Sequence, residues 1–506
     1  MKLARQLLLA VMVVLLVGCG TSSPPADTST TSDETASAPA SPAASPSDAE
    51  ATPAAASAGQ PTASETSDVP DKADPAALAS LPAKVDFSPE DWPQYRGVRR
   101  DGASQETSLR GDWPEAGPPV LWRTSAGEGY SAPSVVGDRV YFNDYDEQRN
   151  VWMVRCLALD TGDEVWKYEV GKRIRPNHGI TRSAPVVNGA CVVSIDPKCE
   201  LHCLNAATGA PLWRKHLPQE FGGQIPAWYN GQCPLLDGDK LVLAPGGRAL
   251  LAAWNVASGE LLWETPNSEN WTLSHSSPTP VTLDGVAQYA YTTLQGLIGV
   301  DASTGALLWQ FPWKFNTAVP TMPLPMDDGK FFLTSGYHAR TVVCQVVREG
   351  DQFTAHEVTS LPPPTNGWNS EVHTPLYYRG FVWGVGKKQR GLWTCLSPDG
   401  EELWTSPRGT SFGMGGYALA DGKFFVLEGT TGMLRILDAQ VDEYRELAHF
   451  QLIEGGDVWA PPIISHGRLL IRDSHQLACL DLRGGEPLAA TESDGETTAQ
   501  NSPATR

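Results

Sequence analysis

The chain has 506 residues and a formal charge of −20 at pH 7, which removes the basic footprint of a nucleic-acid binder and any electrostatic drive toward anionic lipid. Its 17 Trp, 48 Gly and 41 Pro accompany a central body of roughly 400 residues, long enough for a large core and too long for one ordinary sandwich.

Lys2 and Arg5 precede an apolar run, Leu7 to Val17. That length suits the core of an export signal, because a bilayer-spanning helix needs about 20 residues. The run ends in LVGC, Leu16 to Cys19, which resembles the bacterial lipobox, whose Cys becomes the lipidated first residue of the mature protein. Residues 1–19 are therefore expected to be a lipoprotein signal, with Cys19 carrying the contact to membrane lipid. Gly20 stands where, by the sorting rule of enteric bacteria, an Asp would favour the inner membrane, so the expected location is the periplasmic face of the outer membrane. Residues 20–86 are mostly Ser, Thr, Ala and Pro. They hold too few large apolar side chains to offset ordering entropy and read as a disordered linker. Residues 486–506 read likewise as a loose tail.

Between these ends, residues 87–485 repeat themselves. CLALDTGDEVW (Cys156 to Trp166), CLNAATGAPLW (Cys203 to Trp213), AWNVASGELLW (Ala253 to Trp263) and GVDASTGALLW (Gly299 to Trp309) align without a gap, and CLSPDGEELW (Cys395 to Trp404) aligns with one deletion. Each is an alternating strand, a Gly turn and a second strand carrying Trp four residues after the Gly. Upstream of each lies a Pro-led hairpin such as SAPSVVGDRVYF, which brings the unit to four short antiparallel strands. Trp166, Trp213, Trp263 and Trp309 follow one another at 47, 50 and 46 residues; Trp404 comes two periods later, across a degenerate unit at Val342 to Val358. Pro-led strands opening near Ser131, Ser183, Cys233, Ser276, Pro320, His373, Gly415 and Ala460 give eight units. The last unit has no outer Trp strand, and PPVLWRT (Pro118 to Thr124) supplies one from the other end. The expected fold is all-β: an eight-bladed propeller whose final blade is closed by an N-terminal strand. Trp122, Trp166, Trp213, Trp263, Trp309 and Trp404 are then keys between blades.

The turns of LDxxTGxxxW type, the eight units and the Trp keys resemble the pyrroloquinoline-quinone (PQQ) repeat family, which includes quinoprotein alcohol dehydrogenases and BamB-like lipoproteins of outer-membrane protein assembly. The lead-in DWPQYRGVRRDGAS, Asp91 to Ser104, is similar to exported PQQ-like repeat proteins of planctomycete type. The dehydrogenase branch implies PQQ with calcium, a vicinal Cys pair and often a CxxCH haem motif. This sequence holds neither Cys motif, nor GxSxG, HExxH or a phosphate loop. No cofactor or metal is expected. In CELHC (Cys199 to Cys203) strand alternation sets His202 opposite the two Cys. Cys156, Cys203, Cys395 and Cys479 occupy a position filled elsewhere by Ala253 and Gly299, so they read as packed thiols; Cys191 and Cys203 stand close enough across a turn for export to permit a disulfide.

The loops entering the inner strands carry the candidate binding residues. These are Tyr130, Trp228, Trp271, His275, Trp368, His373 and Trp459, and a basic loop, GKRIRPNHGITR, with Lys172, Arg173, Arg175, His178 and Arg182. Aromatic and Arg side chains anchor recognition surfaces. The expected function is a non-catalytic, lipid-anchored envelope scaffold, monomeric, offering its rim to protein or peptide partners; outer-membrane assembly is what the resemblance implies. The rival is a PQQ-dependent oxidoreductase or a sugar-binding protein using the central funnel.

Overall fold

A computed structural model describes residues 69–483, except 111–112, 176–178, 338, 362–367 and 387–390. The signal, Cys19, the linker to residue 68 and the tail from 486 lie outside the described residues, as does His178. Among the described residues no helix is long and apolar enough to cross a membrane.

The repeats form eight four-stranded antiparallel sheets arranged as the blades of a propeller. Blade 1 shows the pattern. β2 (Ser134–Val136) is innermost, followed outward by β3 (Arg139–Asp146), β4 (Val151–Ala158) and β5 (Glu164–Gly171). Blades 2 to 7 follow at residues 186–216, 235–266, 279–312, 324–360, 376–405 and 417–451. Blade 8 takes three strands from residues 463–481 and its outermost from β1 (Val120–Ser125), where Trp122 pairs with Cys479. N- and C-terminal segments thus close the ring together, and blade 8 has its full four strands. The degenerate unit is a complete blade 5, ending in a long hairpin, Val342–Glu349 with Gln352–Ser360. Each inner strand starts two to four residues after the position read from the sequence. The Pro-led residues before it instead cross the rim, consistent with proline's missing N–H donor.

The repeated Gly and Trp are two halves of one joint. Trp166 of blade 1 lies on Gly209 of blade 2, where an added Cβ would meet its ring at 2.6 Å; Trp213 lies on Gly259, Trp263 on Gly305 and Trp122 on Gly162 in the same way. Gly209 and Gly259 have φ of 73° and 72°, so glycine serves both the turn and the seat. Trp122, Trp166 and Trp213 donate Nε1–H to the next blade's backbone, at Leu159, Ala206 and Val256. The small position is explained too. Cys156, Cys203, Ala253, Gly299, Cys395 and Cys479 each pair directly with a key Trp. Blade 5 has no such Trp, and Leu361 fills the seat at Gly400; Phe450 of blade 7 packs on Gly117, ahead of β1. Trp309 departs from the pattern by folding over its own Gly299 and donating to Gln288.

The chain before β1 is part of the fold. The linker reading runs to residue 86, but its last part is docked on the underside, defined as the face of the turns between the first and second strands of each blade. Helix α1 (Pro75–Ala79) is capped by Asp74, and Ala73, Ala77 and Leu81 lie against the apolar core shared by blades 2 and 3. Ala73 N donates to Ser258 O, Arg214 N to Pro70 O and Val85 N to Asn188 O. Burial of three small or medium apolar side chains, together with backbone pairing, orders a stretch whose composition alone reads as loose.

From this strap the segment 91–104 enters the central channel. Trp92 pairs with Val135 in blade 1, Pro93 O accepts from Val187 in blade 2, and Gln94 Oε1 accepts from Leu236 N in blade 3. Arg100 donates to Pro234 and Cys233 carbonyls of blade 3, and Arg96 to Thr374 and Pro375 carbonyls at blade 6. Gly102 and Ser104 pair with Leu419 of blade 7. The lead-in is thus a plug that closes the channel from below.

Candidate functional site

Each blade's outer strand returns to the upper face, and the loop from it to the next inner strand crosses the mouth of the ring. These loops enclose a cup of about 440 Å³ above the plug. Tyr95 of the plug forms its floor; Tyr130, Arg182, Trp228, His275, His373 and Trp459 face it from the entrances of blades 1, 2, 3, 4, 6 and 8. Those six come from loops without sequence similarity, and only the ring brings them together.

Other rim candidates lie elsewhere. Trp368 is a core residue, packed on Phe332 at 5.9 Å between ring centres and against Gly386. Trp271 packs on the core between blades 3 and 4, and its Nε1–H donates to Glu269. The basic loop is split. Lys172 is buried, Arg173 and Arg175 are exposed outside the cup, and Arg182 lines it. The other lining residues escaped the sequence reading as binding candidates, among them four with large side chains. Tyr95 belongs to the lead-in, Tyr337 to the loop between the second and third strands of blade 5, and Glu371 and Met414 sit beside residues whose neighbours drew attention. Aromatic and basic residues of the entrance loops are the visible signal, and none of the four carries it.

The walls are aromatic and pre-stacked. Tyr130 and Trp459 stack at 4.7 Å, and Trp228 and Tyr337 at 5.6 Å with 17° between planes. Trp228, Tyr229 and Tyr337 all hold positive φ, of 63°, 70° and 55°, a strained conformation of the kind that persists where surrounding packing enforces it. Burial lowers the pKa of His275, and that of His373 to about 4, so both are neutral at pH 7. Their Nε2–H groups donate to Ala227 O at 2.8 Å and Met414 O at 3.0 Å, lacing each entrance to the neighbouring one. Burial pushes the Tyr95 phenol up to about 12 and raises those of Tyr130 and Tyr337. Besides these, the described lining residues include one guanidinium, Arg182, and one acidic side chain, Glu371.

That donor set does not fit calcium-bound PQQ. A hard divalent ion takes six or more oxygens, chiefly carboxylate and amide, whereas the described lining holds one carboxylate, no side-chain amide and a single Cys, Cys233. Among the described residues, the one cluster of ligand-type groups close enough to hold a metal ion is already filled. Asp196, Glu200 and His202 converge within 4.8 Å in blade 2, but Lys172 Nζ stands 2.7 Å from Asp196 Oδ2 and 2.6 Å from Glu200 Oε1. Burial alone would raise the Asp196 carboxyl; His202 and Lys172 outweigh it and hold it at about 2. The ammonium occupies the place a cation would take. Equimolar zinc is therefore expected to leave the thermal midpoint of the native chain unchanged and to raise that of Lys172→Met by a few degrees, read by differential scanning calorimetry. Equal stabilisation of both chains would show that Lys172 does not fill the site. His202 faces away from Cys203 as strand alternation requires, and Cys191 and Cys203 are free, buried thiols set diagonally across their strand pair.

The family model described as "Outer membrane protein assembly factor BamB" matches residues 152–406. No curated protein matches significantly. Among solved structures, BamB from Moraxella catarrhalis superposes with a TM-score of 0.50 at 14% identity, over 73% of this chain and 99% of that one. Quinohemoprotein alcohol dehydrogenase from Comamonas testosteroni gives 0.54 at 13% identity, over 82% and 83%, and a europium-containing methanol dehydrogenase 0.52 at 12%, over 76% and 89%. At such identities these likenesses establish the propeller and nothing finer. With the family match running over half its length, the chain belongs to the family of that model, the BamB-like branch of the PQQ-type propeller repeats.

Proposed function

We propose that this chain is a non-catalytic propeller of the cell envelope, lipid-anchored through Cys19 on the periplasmic face of the outer membrane, which serves outer-membrane protein assembly by presenting its mouth to protein partners. The cup carries this reading: eight dissimilar entrance loops converge on a preformed, aromatic-walled recess, while its described titratable groups offer no acid and base pair for catalysis. The family description supports the assembly role, and the lipobox-like LVGC supports the anchor. The dehydrogenase neighbours support the same ring, but a described lining with one carboxylate is a poor fit for calcium-bound quinone.

The test is a photo-reactive residue placed in the intact envelope at Ile225, exposed on the mouth, and separately at Asp284, exposed on the underside. Crosslinks to an outer-membrane assembly protein are expected from Ile225 and not from Asp284. Their absence at Ile225, with the chain at normal abundance, would sink the proposal.

A further inference from the structure

A second recess, an open cleft of about 870 Å³, lies on the upper face where blade 8 closes onto blade 1. Its described lining takes Asp146 to Arg149 from the turn between β3 and β4, Ser474 and His475 from the equivalent turn of blade 8, and Asp457 from the loop entering that blade.

Seven of the described lining side chains are acidic, against Arg149, Arg155, Lys167 and His475. Each lysine or arginine is shared by two carboxylates. Arg149 reaches Glu169 at 2.8 Å and Asp146 at 3.7 Å, Arg155 reaches Glu164 at 2.9 Å and Asp144 at 3.0 Å, and Lys167 reaches Glu169 at 3.4 Å and Glu164 at 3.9 Å. Those three cations are thereby committed to four acids. The remaining acids are Glu128, Glu147 and Asp457. The Glu128 and Glu147 carboxyls hydrogen-bond each other, the largest cause of a raised pKa at Glu147, and Glu128 also accepts from Gly179 N at 2.7 Å.

Elsewhere in the chain, neighbouring carboxylates hold a cation between them. Lys172 stands between Asp196 and Glu200, and Arg435 between Glu428 and Glu446 at 2.7 and 2.8 Å. Glu128 and Glu147 present the same kind of pair to solvent with no lysine or arginine of this chain between them. Ser474 is an independent sign. It lines the cleft with 8% of its surface exposed, and its hydroxyl has no hydrogen-bond partner, although buried polar groups normally find one. Carboxylates and a hydroxyl together offer acceptor oxygens, which suit an ammonium with three donors and no acceptor. A divalent ion suits the place less well, because among the described residues no third histidine, cysteine or carboxylate converges on Glu128 and Glu147.

Size points to a peptide. A sphere of 870 Å³ is about 12 Å across, and an extended chain covers roughly 3.3–3.6 Å per residue, so three or four residues span the cleft. We propose that this cleft docks an extended basic segment of a protein partner, with a lysine ammonium set between Glu128 and Glu147. This rests on the upper face being the one the propeller presents to proteins, and it names the chemistry read there.

Isothermal titration of the full chain with acetylated and amidated tetralysine, at about 0.15 M salt to screen distant charge, tests it. Saturable binding is expected, weakened at least about tenfold when Glu128→Gln and Glu147→Gln are combined. Asp442→Asn with Glu443→Gln removes the same charge from two exposed acids on the underside of blade 7 and should leave binding unchanged. Thermal midpoints show that both double variants are folded. Equal loss in the two double variants would overturn the proposal, since the peptide would then answer only to net charge. No loss in the first, or no binding by the folded native chain, would overturn it as well. If crosslinks from Ile225 persist while tetralysine fails, the basic-segment proposal falls and the scaffold reading stands; loss of both removes the upper face as a partner surface.

Discussion

Trp213→Ala is expected to destabilise the chain by about 4 kcal/mol, within the range for truncating a buried Trp. Trp213 has no accessible surface, rests on Gly259 with ring atoms 2.9 Å from where a Cβ would lie, and donates its Nε1–H to Val256 O at 3.1 Å. Its removal opens a cavity between blades 2 and 3 and strips the carbonyl of a partner. The strap lies alongside, with Asp71 O 3.1 Å from the same point above Gly259, so the loss reaches a third element. Trp263→Ala, by contrast, should cost about half as much. Trp263 is half-buried and its Nε1 has no hydrogen-bond partner, although it holds the same sequence position. Guanidinium titration followed by near-ultraviolet circular dichroism measures both. Equal midpoints for the two variants would mean that blade contacts are uniform and that burial does not rank them.

That contrast marks what the sequence makes legible. The four-stranded unit, the count of eight and the closing strand at Val120–Ser125 all follow from a periodicity of Gly and Trp, because one joint is written again in most blades. The strength of each joint is not written, since it depends on how far the neighbouring blade covers the ring. The degenerate blade hides its key for the same reason: Leu361 fills at Gly400 the volume that Trp fills elsewhere, and no motif announces it. The cup was half legible. Tyr130, Arg182, Trp228, His275, His373 and Trp459 stand in loops that a propeller must bring to its mouth, so topology alone locates them. Trp368 occupies an equivalent loop but turns into the core, because glycines at 384 and 386 leave room beneath it. Lys172 looks like part of an exposed basic loop, and only the fold reveals Asp196 and Glu200 waiting beneath it. Tyr95 was beyond reach, since nothing local in DWPQYRGVRRDG says that the segment threads a channel.

Arg96→Met tests that threading, and is expected to destabilise the chain by about 3–5 kcal/mol, the scale for breaking a buried charged contact and leaving its partners unpaired. The Arg96 guanidinium is buried, and its described hydrogen bonds all go to carbonyls: Arg100 at 3.2 Å and Asp101 at 2.9 Å within the plug, Thr374 at 2.7 Å and Pro375 at 2.9 Å in blade 6. Its planar fork both folds the plug and fastens it to the ring. Lysine presents a single point charge and cannot reach both sets at once, so Arg96→Lys should recover less than half of the loss. Hydrogen exchange gives the second readout. If the plug is held by this contact, the Gly102 amide, which donates to Arg96 O within the plug, and the Ser104 amide, which donates to Leu419 O of blade 7, exchange faster in Arg96→Met than in the native chain, whereas amides in the middle strands of blade 4 do not. The cup must then change with the plug, because Tyr95 is the neighbour of Arg96 and forms the floor. A variant with native stability and native exchange at Gly102 would mean that the lead-in merely rests in the channel and that the floor of the cup is set by the blades themselves.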